Sequence, residues 1–447
     1  VVSLDAFYGK FEEVRKQVSF ETLVLTSVKD ALSPVMKLGF SLTEGRKVPK
    51  IPKDADVLYW NAFLAQAKKQ DESCFMESRG GDPAVILFSG GTTGTTKGIL
   101  LSNLNFNALA LQTCAMGNCV IPGSRMLAAM PMFHGFGLGV CIHTMLVAGV
   151  TAILVPRVSV ESYAKLLKKE KPNYIAGVPT LYEGITRNPY MDGVDMSQLL
   201  GVFSGGDTLS IELKKKFDSF LAEHGATVQV REGYGTTECV TASCLTPYDM
   251  YREGSIGLPF PDTYYKIVKP GTTETVPYGE DGEICLCGPS VMMEYVNQPE
   301  ETANVLRKHA DGHVWLHTGD LGNMDADGFL FFKQRIKRLI ITSGYNVYPS
   351  QVENAIDAHD KVLMSCVIGV PDSYRMQKIK AFVVLRPNIL PTPTLKEEIL
   401  SHCSKLVAKY AMPYDIEFRS ELPKTLVGKV AYTILEKEEL EKQAVTA

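Results

Sequence analysis

Residues 89–98 read Ser89-Gly90-Gly91-Thr92-Thr93-Gly94-Thr95-Thr96-Lys97-Gly98. Glycines free the backbone N–H groups, threonines add hydroxyls, and one lysine adds an ammonium, so such a loop can surround an anion from several directions. The apolar run 84–88 reads as a strand delivering the chain into it, the position at which α/β proteins hold nucleotides. It is not a Walker loop, because Thr96 precedes the lysine and Gly98 follows it. Composition alone also suits a flexible Gly/Thr linker. The rest of the chain decides between the two.

Outward from the loop, short apolar strands alternate with amphipathic helices up to about residue 230. Strands are expected at 22–25, 84–88, 151–155 and 174–177, and helices near 104–115, 160–170 and 210–224. That is the rhythm of a mixed or parallel sheet covered by helices. Residues 255–333 change to short strands divided by turns such as Asp281-Gly282, Asp311-Gly312 and Asp327-Gly328, which predicts a β-rich subdomain. Past Arg335 the pattern resets into a small α+β domain joined at about residue 337. Its expected strands are 339–341, 362–370 and 380–385, and its helices open near Pro349 and cover 395–409 and 433–443.

A chain of 447 residues exceeds one ordinary domain, and its net charge of −4 gives no reason to expect nucleic acid. Ten cysteines without any Cys-x-x-Cys pair argue against a disulfide scaffold or zinc ribbon, and a reduced cytoplasmic setting is expected. Cys285 and Cys287 alternate on an expected strand as core or pocket residues. Residues 126–156 lack Asp, Glu, Lys and Arg and are long enough to cross a bilayer. Pro131, Pro156 and the glycines divide them into two apolar pieces, which suits a buried strand–helix–strand unit better than a membrane span. His309, His313 and His317 would make a metal face on a helix, but Asp311-Gly312 between them reads as a turn.

Further clusters lie far from the loop. His134 ends an apolar run in Pro131-Met132-Phe133-His134-Gly135, a setting in which a lone histidine is more often a satisfied core residue than a catalytic one. Ser204-Gly205-Gly206-Asp207 and Glu232-Gly233-Tyr234-Gly235-Thr236-Thr237-Glu238 close strand-like stretches with glycines that admit a flat ligand, and the second adds a carboxylate able to hold Mg²⁺. Thr318-Gly319-Asp320 and Gln334-Arg335-Ile336-Lys337-Arg338 add an acid suited to vicinal hydroxyls and a cationic stretch. Pro423-Lys424-Thr425-Leu426-Val427-Gly428-Lys429 places a lysine on a Gly-supported loop.

Together and in this order, these motifs resemble the adenylate-forming superfamily of acyl-CoA synthetases, firefly-type luciferases and adenylation domains, over about residues 84–435. The resemblance implies an α/β fold: a large N-terminal domain, 1–336, with α/β lobes at 1–240 and a β-rich part at 241–336, then a mobile domain, 338–447, on a hinge at Lys337. It implies that Ser89, Thr92, Thr93, Gly94, Thr95 and Lys97 hold the β- and γ-phosphates of ATP, and that Gly206, Asp207, Glu232, Gly233 and Tyr234 frame the adenine. Asp320 and Arg335 match the ribose contacts, Thr237 the α-phosphate contact, and Glu238 the Mg²⁺ ligand. Lys429 matches the lysine that bridges the substrate carboxylate and the α-phosphate, His134 is expected with Lys429, Thr237 and Glu238 among the catalytic residues, and Gly344, Tyr345 and Asn346 would meet the pantetheine of CoA.

His134 stands where amino-acid-activating relatives place an aspartate, so the resemblance narrows to acyl- and aryl-CoA ligases. The acyl pocket is expected to draw on Phe136, Gly137, Val178, Thr180, Leu181, Gly205, Gly235 and Cys239, and a medium- or long-chain fatty acid is favoured over an aryl acid. The similarity of 344–349 to fatty-acyl-CoA ligases points the same way. Transfer to a carrier protein instead of CoA, and non-catalytic nucleotide binding, stay open as alternatives. The implied partners are small molecules, with no transmembrane span and with peripheral membrane contact compatible. The chain departs from the family's usual pattern at Thr96, Asp207 and Gln334. It also begins with on the order of 100 fewer residues before the Gly-rich loop, which implies an incomplete first lobe.

Overall fold

The computed structural model describes all residues except 54, 68–69, 90–95, 156–157, 426–427 and 447. The chain forms two compact units, Val1–Ser78 and Arg79–Ala447. In the first, strands β1 (Val2–Leu4), β2 (Val24–Thr26) and β3 (Leu58–Tyr59) form a parallel sheet with β2 in the centre. Leu23, Val24 and Leu25 are its buried residues.

The second unit opens with β4 (Pro83–Ser89) and β5 (Lys97–Ser102), an antiparallel hairpin in which Ser89 faces Lys97. The Gly-rich loop therefore joins two antiparallel strands, not a strand and a helix as in the α/β sites that the sequence brings to mind. Local sequence cannot separate these cases, because the strand entering the loop is equally apolar in both.

A seven-stranded sheet follows, built from β6 (Arg125–Ala128), β7 (Thr151–Leu154), β8 (Tyr174–Gly177), β9 (Gly201–Ser204), β10 (Val230–Tyr234), β11 (Cys244–Leu245) and β12 (Leu258–Pro259). Its lateral order is β12-β11-β10-β9-β8-β6-β7, parallel from β7 to β10 and antiparallel beyond. The parallel strands are buried on both faces, so Met126, Leu127, Tyr174, Ile175 and Val202 are fully enclosed. Helices Asn103–Gly117, Val160–Glu170 and Ile211–Glu223 lie within two residues of the expected bounds. Each has a serine side chain accepting from an amide of its first turn.

The charge-free segment runs as β6, a wide π-type helical stretch Phe136–Thr144 continued by Met145–Val147, and β7. Among the described residues, no helix is long and apolar enough to cross a membrane.

The β-rich part pairs β13 (Tyr264–Val268), β14 (Gly282–Cys287), β16 (Leu306–Lys308), β17 (Val314–Met324) and β18 (Leu330–Arg335) in an antiparallel sheet, while β15 (Glu294–Tyr295) adds to β5. Beyond the turn Ile336–Arg338, strands β19 (Ile340–Thr342), β20 (Tyr345–Val347), β21 (Val362–Asp372), β22 (Met376–Leu385) and β23 (Asp415–Arg419) make a second five-stranded sheet. Helices Pro349–Asp357 and Pro393–Cys403 contribute Val352, Ile356 and Ile399 to its core.

Candidate active site

Two sheets converge on one cleft. From the main sheet, β10 ends in Glu232, Gly233 and Tyr234, and β9 ends beside Gly205, Gly206 and Asp207. From the β-rich sheet, β17 and β18 place Asp320 directly opposite Arg335. The Asp320 carboxylate is 1 % exposed; Oδ2 accepts from Tyr234 Oη at 2.5 Å, and Arg335 Nε lies 2.9 Å from Oδ1. Oδ1 has no aligned donor among the described residues. Ion-paired to Arg335 but without an aligned donor, such an oxygen fits a ligand hydroxyl.

Glu232 Oε1 accepts from Leu209 N at 3.1 Å, and burial pushes its carboxyl up to about 7. Asp207 keeps exposed surface, and partial desolvation raises it, opposed by the charge of Lys429.

The turn Thr237–Cys239 carries the expected α-phosphate and Mg²⁺ residues and is closed by the Cys239 thiol, which accepts from Thr236 N at 3.3 Å. It ends at Val240 with φ 66°, a left-handed conformation that costs a β-branched residue about 1–3 kcal/mol. Full burial holds Val240 there, and its carbonyl passes so close to Gly135 that a Cβ on that residue would lie 1.8 Å from it. Glu238 Oε1 accepts from Tyr295 Oη at 2.7 Å, which leaves Oε2 as the available ligand atom. A single carboxylate completed by phosphate oxygens and water is the usual protein share of a Mg²⁺ site, so the residue fits the ion. Lys97 pairs with Glu301 and lies 4.6 Å from the Tyr295 ring centroid. Thr92, Thr93, Gly94 and Thr95 lie outside the described residues.

Lys429 reaches this cleft from the C-terminal part. A Cβ on Gly206 would stand 3.6 Å from its Cε, and Thr180 Oγ1 donates to Gly428 O at 3.2 Å. Burial lowers the Lys429 ammonium, with Asp207 and Asp320 opposing and Arg335 reinforcing. His134 Nδ1 accepts from Phe136 N at 3.1 Å, and burial, followed by the charge of Lys429, brings the imidazole down to about 4. His134 is therefore neutral at pH 7, and the cation at this point is Lys429.

An apolar cavity of about 40 Å³ starts at Gly205 and Gly206 and is lined by Phe136, Val140, Met145, Phe203, Leu245 and Phe260 among others. Of the expected acyl-pocket residues, only Phe136 and Gly205 line it. Gly137, Val178, Thr180, Leu181, Gly235 and Cys239 do not. Val178 and Thr180 face the Gly428 loop instead, and a Cβ on Gly235 would collide with Thr241 O at 2.3 Å. Cys239 belongs to the core beneath the turn. Which surroundings each of these residues meets is set by packing in space, which motif spacing does not resolve. Sequence reading also passed over Tyr295, Met145, Phe203 and Phe260. Tyr295 reaches Glu238 only because β15 pairs with β5, and no local pattern announces that pairing.

Lys337 lies in the turn between the two five-stranded sheets. Gly344, Tyr345 and Asn346 form the exposed β19–β20 hairpin, with Tyr345 stacked on Tyr410 at 4.4 Å between centroids.

A nucleotide cleft on two sheets of a large domain, closed by a lysine from a small C-terminal domain, is the architecture of adenylate-forming ligases. The chain belongs to the AMP-binding enzyme family: that family's sequence model matches residues 23–296, and the AMP-binding enzyme C-terminal domain matches 351–429. It is 35% identical over 451 residues to a long-chain-fatty-acid–CoA ligase of Bacillus subtilis (strain 168), covering 100% of this chain and 78% of that one. Identity to a long-chain-fatty-acid–CoA ligase of Salmonella typhimurium is 31%, over 96% and 75% of the two chains.

Among solved structures, the anthranilate CoA ligase AuaEII in complex with anthranoyl-AMP superposes with a TM-score of 0.82 at 25% identity, over 99% of this chain and 78% of that one. ATP-bound MatB from Rhodopseudomonas palustris gives 0.78 at 26%, over 96% and 81%. The activity class is AMP-forming acid–thiol ligation through an acyl-adenylate.

Proposed function

We propose that this enzyme activates a fatty acid with ATP and transfers the acyl group to CoA. The observation that carries the reading is the cavity at Gly205 and Gly206, whose described lining has apolar and hydroxyl side chains but no ionised one, so the substrate needs no charged group beyond its carboxylate. The names of the Bacillus and Salmonella relatives support it. About 40 Å³ is room for little more than a water molecule, so an alkyl chain enters by displacing side chains, among which Met145 has the most rotamer freedom.

In the first half-reaction a carboxylate oxygen attacks the α-phosphorus and pyrophosphate leaves. The carboxylate is already ionised at pH 7, so no base is required, and neutral His134 is consistent with that. Catalysis is then positioning and charge stabilisation, with Lys429 between the two anions, Asp320 on the ribose and Tyr234 beside the adenine. Mg²⁺, held at Glu238, would neutralise phosphate charge. In the second half-reaction the CoA thiol attacks the acyl carbonyl, its proton passes to water and AMP departs. The hairpin at Gly344–Asn346 would reach the carbonyl after rotation about Lys337.

The test is ATP–pyrophosphate exchange with hexanoate, decanoate, palmitate, benzoate and anthranilate, followed by thioester formation with CoA. Exchange that rises with alkyl length is the expected result. An aryl acid is the second reading, favoured by the narrowness of the cavity and by the AuaEII superposition, and highest exchange with benzoate or anthranilate would establish it instead.

A further inference from the structure

The Asp320 carboxylate sits beside a kink in β17 that is tied to a buried hydrogen-bond chain running away from the cleft. Gly319 has φ +69°, and a Cβ there would meet nothing within 4 Å, so glycine is required by the dihedral and not by space. The kink is anchored to β14 on both sides. Thr318 Oγ1 donates to Ile284 O at 2.7 Å and accepts from Asp320 N at 3.1 Å, and Gly319 N donates to Glu283 Oε1 at 3.1 Å. The other carboxylate oxygen, Glu283 Oε2, lies 2.9 Å from His317 Nδ1, and His317 Nε2 lies 2.9 Å from His309 Nε2. Glu283, His317 and His309 are 6 %, 4 % and 5 % exposed. All three contacts are satisfied when His309 Nε2–H donates to His317 Nε2 and His317 Nδ1–H donates to Glu283.

Glu283, Cys285 and His317 also offer three ligand atoms within 4.8 Å of one another. A metal ion there would have to displace hydrogen bonds that already pair Glu283 and His317, so the cluster is read as a brace.

We propose that His309, His317 and Glu283 are positioning residues for ATP: they hold the Gly319 amide so that the neighbouring Asp320 carboxylate keeps the place in which it would meet the ribose hydroxyls. None of the three touches substrate. The inference rests on the ribose role of Asp320 given above. Bracing matters because Asp320 gains from the ribose only if its carboxylate is held in place before ATP arrives.

The ratio of kcat/KM for ATP to that for 2′,3′-dideoxy-ATP reads the ribose grip directly. In the unmodified enzyme this ratio is expected to be roughly tenfold or more, the worth of hydrogen bonds to a charged acceptor. Asp320→Ala should collapse it. Glu283→Ala should bring it within about threefold of the Asp320→Ala value, with KM for the carboxylic acid unchanged, as expected for residues coupled through one network. Glu283→Gln keeps an oxygen for the Gly319 amide and should restore most of the ratio. His309→Phe, three hydrogen bonds from the kink, should lower the ratio less and keeps the test available should Glu283→Ala fail to fold. A ratio unchanged in Glu283→Ala and His309→Phe, with only thermal stability reduced, would make the chain merely structural and overturn the proposal. A ratio unchanged in Asp320→Ala would instead sink the ribose assignment itself.

Discussion

His134 shows how one residue's setting decides what it can do. Its sequence context by itself favours a core histidine over a catalytic one, and the structure gives it a backbone donor at Nδ1 and the Lys429 charge nearby. Its folded value of about 4 lies below the unfolded value of about 6.5, so between these limits the unfolded chain binds the extra proton. The stabilisation is thus full above pH ~6.5 and is lost as the pH falls towards 4, by at most about 3 kcal/mol. His134→Asn should therefore lose less melting temperature than the unmodified enzyme between pH 7 and pH 4.5. Parallel Tm profiles for the two would show that His134 titrates normally.

At the scale of elements, the nucleotide cleft depends on how β10 is tied to the helix Asn103–Gly117. The buried Arg231 guanidinium donates to Gly117 O at 2.6 Å, Met116 O at 2.9 Å and Thr246 O at 2.7 Å. It thereby caps the helix C-terminus, where a cation is favoured, and fixes the strand that carries Glu232 and Tyr234. Arg231→Met keeps much of the volume but strips donors from three carbonyls. It should cost about 3 kcal/mol in denaturant unfolding and raise KM for ATP. An unfolding midpoint within error of the unmodified enzyme's would show that water replaces the guanidinium.

At the scale of the whole catalytic unit, Lys429 is docked on the nucleotide cleft while Tyr345 and Asn346 face solvent. The adenylation step proposed above would use this arrangement, and the proposed thioester step would use the opposite one. Lys429→Ala should lose most acyl-adenylate formation, because it deletes the cation between two anions. Given synthetic acyl-adenylate and CoA, it should still make thioester at a substantial fraction of the normal rate. Lys337→Pro should show the reverse, since proline restricts φ at the hinge and leaves the adenylation groups in place. Equal loss of both half-reactions in a folded Lys429→Ala protein would rule out the alternation.

The sequence by itself determined the order of elements, the family and the identities of the charged groups. Apolar periodicity marks helices and strands, and glycine-flanked charged residues at fixed spacings such as Thr318-Gly319-Asp320 carry their chemistry locally. Tertiary structure alone decided what lies across from what. The antiparallel pairing of the strands that flank the Gly-rich loop, the Tyr295 contact to Glu238 and the His309–His317–Glu283 contacts all arise from strand pairing that local sequence does not announce. The apolar cavity is the extreme case: its wall is assembled from a helix, a π-type helical stretch and the ends of β9 and β11, and its lining is whatever packing leaves over. Gly205 lies on the cavity wall and Cys239 in the core beneath its turn, for reasons that only their neighbours in space supply.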